Sequence, residues 1–173
     1  MRALCNGILI GNRTLQNDQP RLTVRLIEGK NPQRIVLGTS YSNFECLKGS
    51  DSEKVIVIGR SPQNWNGYID YVQMDGVNGS IPPKEILKML YQKGIKSIYL
   101  EGGSSTTSNF LNKGAVDILQ LHIAPMVFGS GKSGISLPLI KEVKEAIQFK
   151  KYNFFQIGTE IMFSGYLNNV DED

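Results

Sequence analysis

The stretch Ser97-Ile98-Tyr99-Leu100-Glu101-Gly102-Gly103-Ser104-Ser105-Thr106-Thr107-Ser108-Asn109-Phe110-Leu111 decides how this chain is read. An apolar run ends in an acidic residue, a double glycine follows, and hydroxyl residues then open a helix. That order is a buried strand running into a helix N-terminus. Glycines let backbone come close to an anion, and the first N–H groups of a helix have no partner within it. Glu101 stands at the carboxyl end of the strand, where open α/β sheets place their ligands.

Three further apolar runs have the same character. Gly7-Ile8-Leu9-Ile10-Gly11, Arg34-Ile35-Val36-Leu37-Gly38 and Lys54-Val55-Ile56-Val57-Ile58-Gly59 are short and closed by glycine, as fully buried strands are. Asp70 to Met74 adds a short strand. Residues 41–53 form a polar connection with one helical turn, and 60–68 a surface loop in which Trp65 is a packing plug. Pro82 to Gly94 is a helix, with prolines in its first turn and glycine just past its end. Ile86, Leu87, Leu90 and Tyr91 share one of its faces, so it is a packing helix. The helix after the double glycine covers Ser105 to Lys113 and stops at Gly114. Val116 to Ala124 alternates as a strand, and Ala146 to Phe149, Phe154 to Ile157 and Glu160 to Leu167 are short strands, the last two joined through Gly158-Thr159. The expectation is about eight strands and two or three helices in a single α/β domain over residues 1–173. Its mixed, mostly parallel sheet is flanked by helices and ends in an antiparallel C-terminal hairpin. Residues 168–173 are a frayed acidic tail.

The segment Asn12 to Arg25 has Asn, Asp and Pro clustered in its middle and reads as a loop rather than a strand. It carries Arg13, Arg21, Arg25, Asp18 and two threonines. Such a loop either holds an anionic ligand or is a solvated connection with ordinary surface arginines.

Bulk properties narrow the class. A chain of 173 residues suits one domain with a substantial core, and 40% hydrophobic with 20% charged residues is an ordinary globular composition. The formal charge of +3 comes from scattered Lys and Arg, with no basic stripe, so nucleic acid is not the expected partner. No apolar run is long enough to span a membrane. Cys5 and Cys46 match no metal spacing and read as reduced thiols of a cytoplasmic protein; no metal site is expected. His122, the single histidine, reads as structural. Gly131-Lys132-Ser133 is no phosphate loop, because the required earlier glycine position holds Met126. The loop from Phe128 to Gly134 is left as a candidate ligand cover.

Taken together, several segments form one pattern. They are Arg2, Gly7–Gly11, Thr14, Asp18-Gln19-Pro20-Arg21-Leu22-Thr23-Val24-Arg25, Pro32-Gln33-Arg34-Ile35-Val36-Leu37, Glu101-Gly102-Gly103, Phe110-Leu111, Val116-Asp117 and Ile123-Ala124-Pro125 before Gly129-Ser130-Gly131. Over nearly the whole chain this resembles the reductase domain of the riboflavin-biosynthesis deaminase/reductase, which has a dihydrofolate-reductase-like fold. The resemblance implies NADPH-dependent reduction of 5-amino-6-(5-phosphoribosylamino)uracil to its ribitylamino product. It implies that Arg2, Leu22, Arg25 and Glu101 contact substrate. It further implies that Thr14, Asp18, Thr39, Gly103, Ser104, Ser105, Thr106, Thr107, Ser108 and Asn109 hold the cofactor, and that the protein is a homodimer. Hydride transfer mainly needs two rings held in contact with water excluded, so no catalytic residue is assigned.

Two departures stand out. Gln19 replaces the second aspartate of the usual Asp-Asp-Pro. Family members also carry another strand and loop before the position of Arg2, and that strand is missing here, which predicts an exposed sheet edge or groove. Two alternatives accompany the leading reading: a non-catalytic or degenerate nucleotide-binding domain of the same fold, and a related reductase of another small substrate.

Overall fold

The computed structural model describes residues 1–39, 43–48, 54–61, 65, 67–77, 79–127 and 129–167. The tail at 168–173 and Phe128 of the candidate cover loop lie outside the described residues. The chain divides into two compact units, Met1–Thr107 and Ser108–Asp173.

The first unit is built on a parallel sheet. Strands β1 (Gly7–Gly11), β2 (Gln33–Leu37), β3 (Val55–Gly59), β4 (Ile69–Gln73) and β5 (Ile98–Leu100) lie in the order β4-β3-β2-β1-β5. β1 is central, with Ile8 opposite both Arg34 and Tyr99. Every residue of β1 and β3 is buried, which explains their uninterrupted apolar sequences. Gly7 is required by packing, since a Cβ there would lie 2.9 Å from both Ile35 Cδ1 and Ile95 Cγ2. Ile8, Ile10, Leu15, Leu22, Val36, Phe44, Leu47, Val55, Val57 and Ile69 form the core. Trp65 packs edge-on against Phe44 at 5.2 Å between ring centroids, as a plug should.

Two local expectations need correction. Part of the segment expected to be a loop is helix α1 (Asn12–Asp18). Asn and Asp are weak helix formers, but the fully buried Leu15 anchors the turn against the core. The helix ends where Gln19 takes a left-handed conformation (φ 42°) and donates its N–H to Leu15 O at 3.0 Å. Pro20 follows. In helix α2 (Pro83–Gln92), Ile86 and Leu90 are buried, whereas Tyr91 is 64% exposed and does not belong to the packing face.

The second unit holds a three-stranded antiparallel sheet, which contains the expected C-terminal hairpin. Strands β6 (Ile118–Ile123), β7 (Lys151–Ile157) and β8 (Glu160–Tyr166) lie in the order β6-β8-β7. The β7–β8 hairpin turns at Gly158-Thr159, with Gly158 at φ 61° and Ile157 opposite Glu160. Ala146 to Phe149 is not a strand; a short 3-10 turn, Val143–Glu145, precedes it, and β7 starts earlier than expected. Phe149, Tyr152, Phe154 and Phe163 form an aromatic cluster. Helix α3 (Ser104–Asn112) begins in the first unit and ends in the second. No helix among the described residues is long and apolar enough to cross a membrane.

Candidate active site

Because β1 to β5 are all parallel, their carboxyl ends line one rim of the sheet. Ligands of open α/β sheets gather at such a rim. β1 delivers α1, β2 delivers Gly38-Thr39, β3 delivers Arg60-Ser61, and β5 delivers Glu101 and the double glycine. Asn12 Nδ2 donates to Gly38 O at 3.0 Å and so ties the start of α1 to the end of β2.

The double glycine reverses the chain. Gly102 and Gly103 both adopt left-handed backbone, at φ 73° and 76°, which is costly for other residues. Gly103 also approaches α1 closely, since a Cβ on it would lie 2.6 Å from Thr14 Oγ1 and 3.7 Å from Thr106 Oγ1. A Cβ on Gly11 would likewise collide with Thr106 Oγ1. Gly11, Thr14, Gly103 and Thr106 therefore converge on one small cradle. The ladder of α3 starts with Thr107 N–H donating to Gly103 O at 3.0 Å. The N–H groups of Ser104, Ser105 and Thr106 precede that bond, so this end of the helix can receive an anion.

Glu101 stays attached to the sheet, its N–H donating to Leu9 O at 3.0 Å. Its carboxylate is gripped by Arg2: Nε donates to Oε2 at 2.8 Å and Nη2 to Oε1 at 2.5 Å. Arg2 Nη1 donates to Thr23 O at 2.9 Å. One guanidinium thus joins the strand-end carboxylate to the segment that carries Arg25. The hydrogen bond to Glu101 pushes the Arg2 pKa further up, and burial only partly opposes it. Burial, aided by the Glu101 charge, raises that of Tyr99. Arg2, Thr23 and Arg25 line a pocket of about 230 Å³.

The predicted residues fall into distinct groups. Arg2 and Arg25 line this pocket, and Glu101 is bonded to Arg2. Thr14, Gly103 and Thr106 form the cradle, with Ser104, Ser105 and Thr107 on the same first turn. Thr39 lines a different cavity, of about 410 Å³, together with Arg60, Ser61 and Ser80. Asp18 is exposed at the far end of α1. Leu22 is fully buried in the core at φ 56°, so only its backbone is available to a ligand. Ser108 is also buried, and its hydroxyl accepts the Ser136 N–H at 2.8 Å. Asn109 is the next residue of the same helix. Asn12, Arg60 and Ser61 were not singled out from sequence, although Asn12 and Arg60 directly follow the ends of buried strands and Ser61 comes next.

The match to the RibD C-terminal domain covers residues 1–163. The chain belongs to this family. The 2,5-diamino-6-ribosylamino-4(3H)-pyrimidinone 5′-phosphate reductase of Aquifex aeolicus is 26% identical over 175 residues, covering 94% of this chain and 76% of the relative. The riboflavin biosynthesis protein RibD of Corynebacterium ammoniagenes is 31% identical over 147 residues, covering 82% of this chain but 37% of that protein. Among solved structures, the Thermotoga maritima deaminase/5-amino-6-(5-phosphoribosylamino)uracil reductase superposes with a TM-score of 0.80 at 26% identity. That match covers 97% of this chain and 47% of the other. The chain therefore spans less than half of these two larger relatives. Membership of a reductase family implies a pyridine nucleotide as hydride carrier.

Proposed function

We propose that the protein is an NADPH-dependent reductase of riboflavin biosynthesis that converts 5-amino-6-(5-phosphoribosylamino)uracil to its ribitylamino product. The observation that carries this reading is the pairing of two features at one sheet rim: a glycine turn at Gly103 that leads into a helix N-terminus, and a carboxylate at Glu101 bonded to an arginine of the neighbouring pocket. Gly103, Thr14, Thr106 and the first turn of α3 hold the cofactor pyrophosphate, and NADPH supplies the hydride. Arg25 offers a planar fork of donors to the substrate phosphate. Glu101, fixed by Arg2, accepts hydrogen bonds from substrate hydroxyl or N–H groups. Positioning of this kind provides most of what hydride transfer needs.

The test mixes the protein with NADPH and the ribosylamino-uracil phosphate and follows the reduced-nicotinamide absorbance. Steady loss with formation of the ribityl product is expected. Cofactor binding without turnover would replace this reading by a non-catalytic domain. We place the protein in the cytoplasm, consistent with two free thiols, Cys5 and Cys46; fractionation checks this. The homodimer implied by the family has support in β7, an edge strand exposed along its whole length that bears Tyr152, Phe154, Phe155 and Ile157. Sedimentation should give twice the chain mass, and Phe155→Glu should weaken association.

A further inference from the structure

The reduction proposed above needs a proton as well as a hydride. As the ribosyl group becomes ribityl, C1′ gains the hydride, its bond to the ring oxygen breaks, and the electron pair leaves with that oxygen. The oxygen must then take a proton, or an alkoxide is left in the site. NADPH supplies the hydride alone. The groups bonded at Glu101 cannot supply the rest. Its own carboxylate is ion-paired with Arg2 and accepts two hydrogen bonds from it. The guanidinium groups of Arg2 and Arg25 do not give up protons in proteins. Thr23 takes part through its carbonyl, which is an acceptor.

Tyr99 remains. It sits in β5 opposite Ile8, and the Glu101 N–H bond to Leu9 O carries the ladder past the end of the strand. Side chains alternate along a strand, so Tyr99 and Glu101 stand on one face, about 7 Å apart. The ring is partly buried and packs against the core. Packing accounts for the ring and not for the hydroxyl. A tyrosine hydroxyl taken into a protein usually finds a hydrogen-bond partner, and that of Tyr99 makes no hydrogen bond among the described residues. The titratable and charged groups that act on it are Glu101, Arg2 and Cys5, and Arg34 stands in the same row of the sheet beyond Ile8. Burial, then the Glu101 charge, raises the Tyr99 pKa, so the phenol holds its proton at neutral pH. We infer that the Tyr99 hydroxyl donates the proton that the ribosyl ring oxygen takes as its bond to C1′ breaks. Solvent returns a proton to the phenolate, so the cycle consumes one hydride and one proton and leaves the side chain unchanged. This rests on the reductase reading above and adds to it the residue that completes the reaction.

The test compares the native protein with Tyr99→Phe, which keeps the ring and removes only the hydroxyl. Single-turnover oxidation of NADPH by the ribosylamino-uracil phosphate gives the rate, and calorimetry gives the dissociation constants of NADPH and of that substrate. A general acid contributes about 10²–10⁴-fold, so the variant should lose that factor in rate while both dissociation constants stay within about threefold. Proton donation leaves two further marks. The native rate should fall in deuterium oxide, and in the variant an added small acid such as imidazolium should restore part of the loss in proportion to its concentration. A hydroxyl that merely steadies the pocket produces neither. An unchanged circular dichroism spectrum checks that the variant folds. A variant rate within about threefold of native, or a loss that appears in the dissociation constants instead, overturns the assignment and leaves the reductase reading intact. So does a rate loss accompanied by neither the isotope effect nor the rescue. Absence of turnover by the native protein overturns both.

Discussion

Removing Arg2 tests whether it serves the substrate directly or acts through Glu101. Its guanidinium makes two charge-assisted bonds to the Glu101 carboxylate and a third to Thr23 O. The two side chains of the ion pair are 27% and 30% exposed. Fully exposed pairs contribute about 0–1 kcal/mol, and removing one partner of a buried pair costs about 3–5 kcal/mol. The present pair lies between, at about 2 kcal/mol. If that energy serves to place the carboxylate against substrate, Arg2→Ala lowers kcat/KM for substrate about thirtyfold. The NADPH dissociation constant should move less than about threefold, because the cradle at Gly103 does not include Arg2. Arg2→Lys keeps the charge but loses the fork and should recover part of the loss. The decisive assay is a double-mutant cycle with Glu101→Gln. A residue acting through Glu101 costs little once Glu101 is already altered, so the coupling energy should approach the full effect of Arg2→Ala. Additive losses, with a coupling under about 0.3 kcal/mol, would refute this account and return Arg2 to the role of an independent substrate contact.

The two glycines should separate in the same assays. Gly103→Ala places a Cβ 2.6 Å from Thr14 Oγ1, whereas Gly102→Ala meets nothing within 4 Å. Both carry left-handed strain of about 1–2 kcal/mol. Only Gly103→Ala should weaken NADPH more than about tenfold, by fluorescence titration, and equal effects would rule out the cradle. Tyr99 gives a test of pH dependence. Burial, then the Glu101 charge, lifts its pKa above 10.0, so the phenol ionises first in the unfolded chain. The unfolded state then binds fewer protons, and stability falls as pH rises from about 10 towards the folded value. Urea midpoints between about pH 9 and 11 should fall less steeply in Tyr99→Phe; an unchanged slope would show that Tyr99 does not contribute.

Strands β1, β2 and β3 were legible because burial on both faces leaves a continuous apolar run closed by glycine, and α2 because proline and glycine mark its ends. The turn at Glu101-Gly102-Gly103 was legible for the same local reason. α1 was not, since its residues favour turns and only the burial of Leu15, a tertiary effect, makes them helical. The division of strands between two sheets depends on pairings remote in sequence. The Arg2–Glu101 contact joins residues 99 positions apart, so no local pattern announces it. Ser108 illustrates the opposite limit. Its place in a hydroxyl-rich helix start suggests a ligand contact, but by the fifth helical position the side chain has turned inward to receive Ser136 N–H.

The loop between α1 and β2 shows how such a site is held still without regular structure. Gln19, Leu22 and Leu26 all have positive φ, at 42°, 56° and 66°. Each costs about 1 kcal/mol or more and persists only when its surroundings determine it. Leu22 is determined by the core, where its side chain is fully buried. Val24 is determined by Asn31, whose Oδ1 accepts its N–H at 2.9 Å. Between these anchors lies Thr23, whose carbonyl receives Arg2, and immediately after them comes Arg25. The burial of one leucine, worth about 2 kcal/mol, thus offsets the strain that sets the path of the candidate phosphate-binding arginine. Leu22 matters to the pocket at Arg2 and Arg25 because its side chain is buried in the core instead of lining it: the core holds the loop, and the loop presents Thr23 and Arg25.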